Sequence, residues 1–101
     1  MDFKVIISQP AIEDLRNIVS YIAQHNRDAA LRLGKELINR TRILGRFPEL
    51  GRRAPELNSP DVREIIYRSY RIFYRVKSEL HLVEVIRFWH GARGFPIIPP
   101  A

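Results

Sequence analysis

The spacing of apolar residues changes period once along the chain, and this change limits the possible fold more than any other feature. From residue 12 to residue 44, apolar side chains recur every three or four positions, as in helices that bury one side. From residue 62 to residue 89 they alternate or form short β-branched runs, which are typical of strands. The sequence therefore predicts helices first and a sheet afterwards, an α+β arrangement.

Two helices are predicted in the first half of the chain. The first follows a short strand at residues 3–8 and is capped by Ser8. The second is capped by Asp28 and ends near Gly45. Gly34 lies in the middle of the second helix, where glycine costs about 1 kcal/mol relative to alanine, so we expect a close antiparallel hairpin of the two helices. The predicted apolar stripes consist of Ile12, Leu15, Ile18, Val19, Ile22, Ala30, Leu33, Leu37 and Leu44.

Three strands are predicted after a proline-containing loop at residues 49–60. Their expected bounds are 62–68, 70–77 and 80–89. The middle strand alternates, which predicts one packed face and one exposed, largely basic face. The basic face consists of Arg71, Phe73, Arg75 and Lys77. The third strand carries apolar residues on both faces, so we expect it in the interior of the sheet.

The complete prediction is β-α-α-β-β-β, with the helical hairpin packed on a small, twisted, mostly antiparallel sheet. Residues 1–93 form one domain in this interpretation, and residues 94–101 form a proline-rich C-terminal tail without regular structure. A chain of 101 residues is long enough for one core and too short for two domains.

Composition narrows the classes of function. Lys+Arg number 17 against 11 Asp+Glu, and the net charge of +6 favours an acidic partner, either a nucleic acid or an acidic protein. The chain has no cysteine, which excludes disulfides, thiolate zinc sites and cysteine nucleophiles. The apolar run at residues 5–7 is too short for a secretory signal, and no run approaches the length of a membrane span. We expect a cytoplasmic protein without membrane contact.

Candidate catalytic residues are few. The histidines lack the spacing of metal ligands and no glycine-rich phosphate loop occurs, so we expect neither a metal nor a cofactor. Glu56, Arg71 and His90 could supply the base, cation and acid of metal-free RNA cleavage. Each also has a structural interpretation. Glu56 can pair with a neighbouring arginine, Arg71 can lie on a solvated strand face, and His90 can close the core at a strand end.

Several segments, taken in order, resemble the RelE/ParE superfamily of bacterial type II toxins over residues 3–93. They are the first helix (AIEDL and IVSYIA), the loop FPELGR, the hairpin segments REI and YRIFYRV, and the ending VEVIR followed by HGAR. The superfamily contains ribosome-dependent mRNA endonucleases and DNA gyrase inhibitors on one fold. The HGAR ending and the first helix resemble the ParE-like, gyrase-inhibiting branch.

The resemblance implies particular roles for residues of this chain. A gyrase inhibitor needs no catalytic residues, and its target would contact a basic surface formed by Arg71, Arg75, Arg87 and Arg93. A RelE-like nuclease, which would act on ribosome-bound mRNA, remains the alternative, with Glu56, Arg71 and His90 in its site. Both branches imply a cognate antitoxin, and we expect it to contact Ile22, Leu33 and Leu37. A simple nucleic-acid-binding module explains the charge but not the resemblance, and it ranks last.

Overall fold

The computed structural model describes residues 2–54, 57, 59 and 61–98. Two helices pack on a five-stranded sheet, and short 3₁₀ turns at Ser78–Leu80 and Gly91–Arg93 border the last strand. The elements in chain order are β1 (Lys4–Ile7), α1 (Gln9–Ala23), α2 (Arg27–Arg46), β2 (Arg52–Arg53), β3 (Val62–Tyr67), β4 (Tyr70–Lys77) and β5 (Leu82–His90).

The sheet has the strand order β1-β5-β4-β3-β2. β1 and β5 are parallel, and the other pairs are antiparallel, so the predicted α+β class and mostly antiparallel sheet are confirmed. β5 has a neighbour on each side, as its two apolar faces predicted. After β1, the helical hairpin carries the chain to the opposite edge of the sheet, where β2 lies, and β3, β4 and β5 then fill the sheet back towards β1. β5 therefore lies beside β1, and the long helical connection allows the two strands to be parallel.

Local capping determines where the helices begin. The Ser8 side chain accepts a hydrogen bond from the Ala11 N–H, as predicted. The predicted cap of α2 is wrong: Asn26 accepts from the Ala29 N–H at 3.0 Å, and Asp28 lies in the first turn, where its charge suits the helix dipole. Asn26 takes the cap because its backbone is extended while Arg27 is already helical.

Close approach explains the glycines of α2. A Cβ on Gly34 would lie 3.1 Å from Val19 Cγ2, which confirms the expected contact between the helices. The helix ends at Arg46 with Phe47 as its C-cap, one residue beyond Gly45, as Gly45 and the following Phe47 and Pro48 predict. A Cβ on Gly45 would lie 2.8 Å from the Phe3 carbonyl oxygen. The Phe3 N–H donates to the Gly45 carbonyl at 2.7 Å, so this glycine lets β1 start directly against α2.

The helix-covered face of the sheet holds most of the apolar core. Leu37, Ile72, Val85 and Phe88 are fully or almost fully buried in one cluster there. A second cluster joins Leu44, Tyr74 and Val83. The opposite face, called the far face here, has its own smaller core of Ala54, Val62, Phe73 and Ile86, covered in part by Trp89 and Ile98.

Several strand bounds differ from the predictions. β3 ends at Tyr67 because Arg68, with φ of 54°, begins the turn to β4. β5 starts two residues late because Ser78–Leu80 forms a 3₁₀ turn and His81 has a left-handed backbone. The expected loop at 49–60 contains the two-residue strand β2, which was too short to predict.

Candidate functional site

Arg71 is held in an ion pair on the far face. Its Nε donates to Glu64 Oε1 at 3.0 Å and its Nη2 donates to Glu64 Oε2, so the pair is bidentate. The Glu64 side chain is fully buried, and the Arg71 side chain is 11% exposed. Arg52 approaches the same carboxylate at 3.4 Å. The guanidinium of Arg71 also lies about 5 Å from the ring centres of Phe73 and Phe95.

The expectation of an exposed basic face on β4 is therefore wrong. Phe73 is fully buried, and the Arg75 side chain is 6% exposed and pairs with Asp61 at 2.9 Å. Both faces of β4 are covered, because the helices pack on one side of the sheet and the loop and tail pack on the other. Arg75 would contact a target only if the far face opened, and Arg71 reaches the surface only at a shallow cavity beside the turn between β3 and β4.

Arg87 and Arg93 lie at the other end of the proposed basic surface. Arg87 donates from Nε and Nη2 to the Asp14 carboxylate at 2.6 and 2.8 Å, and this hydrogen-bonded pair raises the pKa of Arg87. The guanidinium groups of Arg87 and Arg93 lie 4.9 and 4.4 Å from the ring centre of Trp89. Arg93 is exposed, so it offers the most accessible cation of the four.

His90 lies near Arg71, but its hydrogen bond caps the turn that follows β5. Its Nδ1 accepts a hydrogen bond from the Ala92 N–H at 3.1 Å, which starts the 3₁₀ turn at Gly91–Arg93. Its ring meets the Tyr70 ring edge-on at 5.2 Å. Arg71 and His90 both line a shallow cavity of about 390 Å³ beside the β3–β4 turn. Glu56, the third residue of the candidate nuclease site, lies outside the described residues.

A larger cavity of about 420 Å³ separates α1 from the ends of β4 and β5. Its apolar wall includes Ile18, Ile22 and Phe88, and His90 and Arg93 lie at its polar side. Asp14, Asn17 and Tyr70 also line it, and burial raises the pKa of the Tyr70 phenol above its usual 10.0. The apolar wall can receive an apolar side chain, and Arg93 offers a cation at the polar side, where Asp14 is already paired with Arg87.

The three residues predicted to contact an antitoxin are in different surroundings. Ile22 is half-buried and lines the 420 Å³ cavity. Leu33 is half-buried against the core. Leu37 is fully buried in the same core, in contact with the sheet, so it has no surface to offer in this structure.

Sequence reasoning missed two acidic residues that organise the site. Asp14 binds Arg87 and also accepts the Phe88 N–H at 3.2 Å, thereby joining α1 to β5. Glu64 holds Arg71 across the β3–β4 pair. A signal for Glu64 was present: with a two-residue turn at Arg68 and Ser69, the hairpin register places Glu64 opposite Phe73 and diagonal to Arg71.

In the described part of the chain, no group of three His, Asp or Glu side chains could hold a metal ion. No described helix is long and apolar enough to cross a membrane.

Comparison with known proteins identifies the family. The family model of the ParE toxin of the type II toxin-antitoxin system parDE matches residues 5–95. No curated protein sequence matches the chain.

Solved structures of related toxins share the fold at low sequence identity. The RelBE2 toxin-antitoxin complex of Mycobacterium tuberculosis has a chain 18% identical, with 89% of this chain and 99% of that chain covered and a TM-score of 0.71. The chromosomal ParDE system of P. aeruginosa gives 18% identity, coverage of 87% and 95%, and a TM-score of 0.73. A mutant of E. coli RelE in the free state is 20% identical, with 93% of this chain and 88% of that chain covered and a TM-score of 0.66. On the family match over residues 5–95, the chain belongs to the ParE toxins of type II toxin–antitoxin systems.

Proposed function

We propose that this toxin inhibits DNA gyrase by binding it, without catalysis, and is neutralised by a cognate antitoxin. The family match favours the ParE-like branch of the superfamily. Its action on gyrase would take place in the cytoplasm. The main observation that supports the choice between the two branches is the ion pair of Arg71 with the buried Glu64.

Arg71 is poorly placed to act as a catalytic cation. A nuclease needs a positive charge directed at the phosphate where negative charge develops in the transition state. Here the Nε and Nη2 groups of the Arg71 guanidinium both donate to Glu64, and the Phe73 and Phe95 rings lie beside the guanidinium. Because Glu64 is fully buried and negatively charged, it neutralises the cation that phosphate binding would require. This arrangement supports a structural role for Arg71.

Arg93 is the residue we expect to contact gyrase most directly. It is exposed and stacks on Trp89, and aromatic and arginine side chains are the types that contribute most at protein interfaces. Arg87 lies on the same ring and is oriented by Asp14. Arg71 and Arg75 would support this surface from the interior of the sheet.

The position of Arg93 also suggests how an antitoxin would neutralise the toxin. Arg93 and Ile22 line the same 420 Å³ cavity. An antitoxin segment that placed an apolar side chain on Ile22 and a carboxylate near Arg93 would cover the gyrase-binding residue. The net charge of +6 favours such an acidic partner, and the RelBE2 structure of M. tuberculosis is a toxin–antitoxin complex.

One observation favours the RelE-like nuclease as the alternative. Arg71 and His90, which lie far apart in sequence, meet at one cavity of about 390 Å³. If Glu64 released Arg71 on the ribosome, these two groups would face a common substrate. The RelE and RelBE neighbours share the fold, so both activities are compatible with it.

The test compares two assays on the purified full-length toxin. We expect inhibition of supercoiling by gyrase and intact mRNA in translating ribosomes. Ribosome-dependent cleavage with unaffected supercoiling would reverse the choice. Arg93→Glu should weaken inhibition, whereas Arg32→Glu, an equal charge change at an exposed position of α2, should not. Thermal melts of both variants confirm that each is folded.

A further inference from the structure

The second helix carries most of the positive charge of the chain. It has six basic and two acidic side chains, and so supplies +4 of the net charge of +6. Four of the basic side chains follow one another at steps of three, seven and four residues, which places them in one row along the helix. All four are exposed. We call this row the α2 stripe, and its members are Arg32, Lys35, Arg42 and Arg46.

The α2 stripe faces away from the rest of the molecule. The side of α2 that packs on the sheet and on α1 carries the buried Gly34, Leu37 and Leu44, and the stripe lies on the opposite side of the helix. At a rise of about 1.5 Å per residue, its first and last members are about 21 Å apart along the helix axis. Glu36 lies beside the stripe but pairs with Arg68, from the turn after β3, at 3.7 Å. The stripe therefore presents an uninterrupted row of positive charge to solvent.

The cations of the α2 stripe differ from those of the sheet in having no acidic partner. Arg71, Arg75 and Arg87 each pair with a carboxylate. Among the residues that the structure describes, no carboxylate pairs with a member of the stripe, and Arg42 donates only to the Asn39 side-chain oxygen, at 3.3 Å. Like charges three or four residues apart destabilise a helix. An anionic partner aligned with the helix would relieve this repulsion.

The side chains around the stripe indicate which kind of anion fits it. The helix contains no aromatic residue, so the stripe offers no surface on which unpaired bases could stack, as sites for single-stranded nucleic acids do. It also lacks the aromatic residues that dominate protein–protein interfaces. A straight row of long cations instead suits the backbone of a stiff duplex. Double-stranded DNA carries one negative charge per about 1.7 Å of its axis, so a row of about 21 Å faces on the order of ten phosphates.

We propose that the α2 stripe binds the phosphate backbone of double-stranded DNA without reading its sequence. The choice of DNA over an RNA duplex rests on the proposed action on gyrase, an enzyme that works on DNA. The stripe is separate from the surface around Arg93, because no residue of α2 lines the 420 Å³ cavity. The toxin would thus hold DNA and contact gyrase through different surfaces, and an antitoxin segment in the cavity would leave the stripe exposed.

The experiment measures the affinity of the purified full-length toxin for a fluorescent duplex of about 20 base pairs, by anisotropy and without gyrase. Four phosphate contacts should make the logarithm of the affinity fall with the logarithm of the salt concentration at a slope of about −3 to −4. A variant without the stripe should bind about tenfold or more weakly, with a slope between about −1 and 0. Its substitutions are Arg32→Gln, Lys35→Gln, Arg42→Gln and Arg46→Gln.

The matched control removes the same charge from exposed positions outside the stripe, again as one lysine and three arginines. Its affinity should fall by about threefold or less, since these positions share no row. Its substitutions are Lys4→Gln, Arg16→Gln, Arg27→Gln and Arg53→Gln. Thermal melts of both variants establish that they are folded. Should the stripe variant unfold, the double variant Lys35→Glu and Arg42→Glu removes the same charge at two positions and decides the matter.

The outcomes separate this inference from the proposed function. Equal losses in the two variants would show that net charge alone attracts DNA, and would overturn the α2 stripe. Absence of duplex binding at about 50 mM salt, or tighter binding to an RNA of the same length, would also overturn it. None of these results bears on gyrase inhibition, which the supercoiling assay measures by itself. Conversely, a toxin that binds DNA through the stripe but leaves supercoiling unaffected overturns the proposed function alone.

Discussion

The two faces of the sheet are closed by different means. The helices cover one face with aliphatic and aromatic side chains, among them Leu37, Ile72 and Phe88. The far face has a smaller apolar core, and ion pairs complete it: Arg71 with Glu64, and Arg75 with Asp61. The tail adds Phe95 and Ile98 to this cover.

An alternating basic pattern in a strand therefore does not by itself predict a basic surface. Arg71 and Arg75 are spaced as on a solvated strand face, yet both are mostly buried. Their partners come from β3 and the residue before it, which the sheet brings alongside. The charges of the far face therefore contribute to the fold, and Arg93, beyond the last strand, remains available for a partner.

The largest expected effect is on the far face. Glu64→Gln leaves the mostly buried Arg71 without a charged partner, so we expect a loss of about 4 kcal/mol in the free energy of unfolding. Glu84→Gln is the matched control: its pair with Lys77 is partly exposed, and the loss should be about 1 kcal/mol or less. Urea unfolding of both variants measures the difference. Equal losses would show that the far face does not depend on its buried pair.

The helix-covered face should respond to lost volume instead of lost charge. Leu37→Ala removes a fully buried side chain and should cost about 3 kcal/mol through lost burial and a cavity. Leu31→Ala, on the same helix but 52% exposed, should stay within about 0.5 kcal/mol. Urea unfolding also serves here. A loss from Leu31→Ala as large as that from Leu37→Ala would contradict the assigned core.

Tyr74 connects the helix-covered face to the loop, and its effect should depend on pH. Its hydroxyl donates to the Pro48 carbonyl and accepts from the Gly51 N–H, so Tyr74→Phe should cost about 1.5 kcal/mol at pH 7. Burial, the largest influence, raises the pKa of Tyr74 above 10.0. The unfolded chain therefore loses this proton first, and the stability due to Tyr74 is complete below pH 10 and declines above it.

Thermal melts from pH 8 to pH 11 test this dependence. The difference in stability between wild type and Tyr74→Phe should shrink as the pH rises above 10. All other groups are the same in both proteins, so the difference isolates Tyr74. A difference that grows with pH would show that the folded chain does not favour the protonated phenol.

The smallest effect is expected in the tail that covers the far face. Phe95→Ala removes one ring beside the Arg71 guanidinium and should cost about 0.5–1 kcal/mol. Ile97→Ala serves as the control because Ile97 is 89% exposed. Hydrogen exchange at Phe73 and Trp89 should be faster in the Phe95 variant. Unchanged exchange there would mean that the tail does not protect the far face.

The sequence predicted those parts of the fold that depend on neighbouring residues. Ser8 caps α1, and β4 has its predicted bounds, because a cap and an alternation are both read within a few positions. The cap of α2 was misplaced because Asn26 and Asp28 are both good caps two residues apart. β2 was missed because two residues carry no alternation and pair only through β3.

The candidate site was less predictable because it depends on contacts distant in sequence. The arginines were identified, but Asp14 is 73 positions from Arg87 and becomes its partner only when α1 lies along β5. The meeting of Arg71 and His90 likewise follows from the pairing of β4 with β5. Ile22 and Arg93, from the first helix and the last turn, share a cavity for the same reason.

We propose that this toxin acts through a binding surface around Arg93 and not through catalysis at Arg71 and His90. The most direct measurement is the toxin concentration that halves gyrase supercoiling, for wild type, Arg93→Glu and His90→Ala. We expect Arg93→Glu to raise it by about tenfold, as for loss of one interface contact, and His90→Ala to change it by about twofold or less. Unchanged inhibition by Arg93→Glu, or no inhibition by the wild-type toxin, would contradict the account.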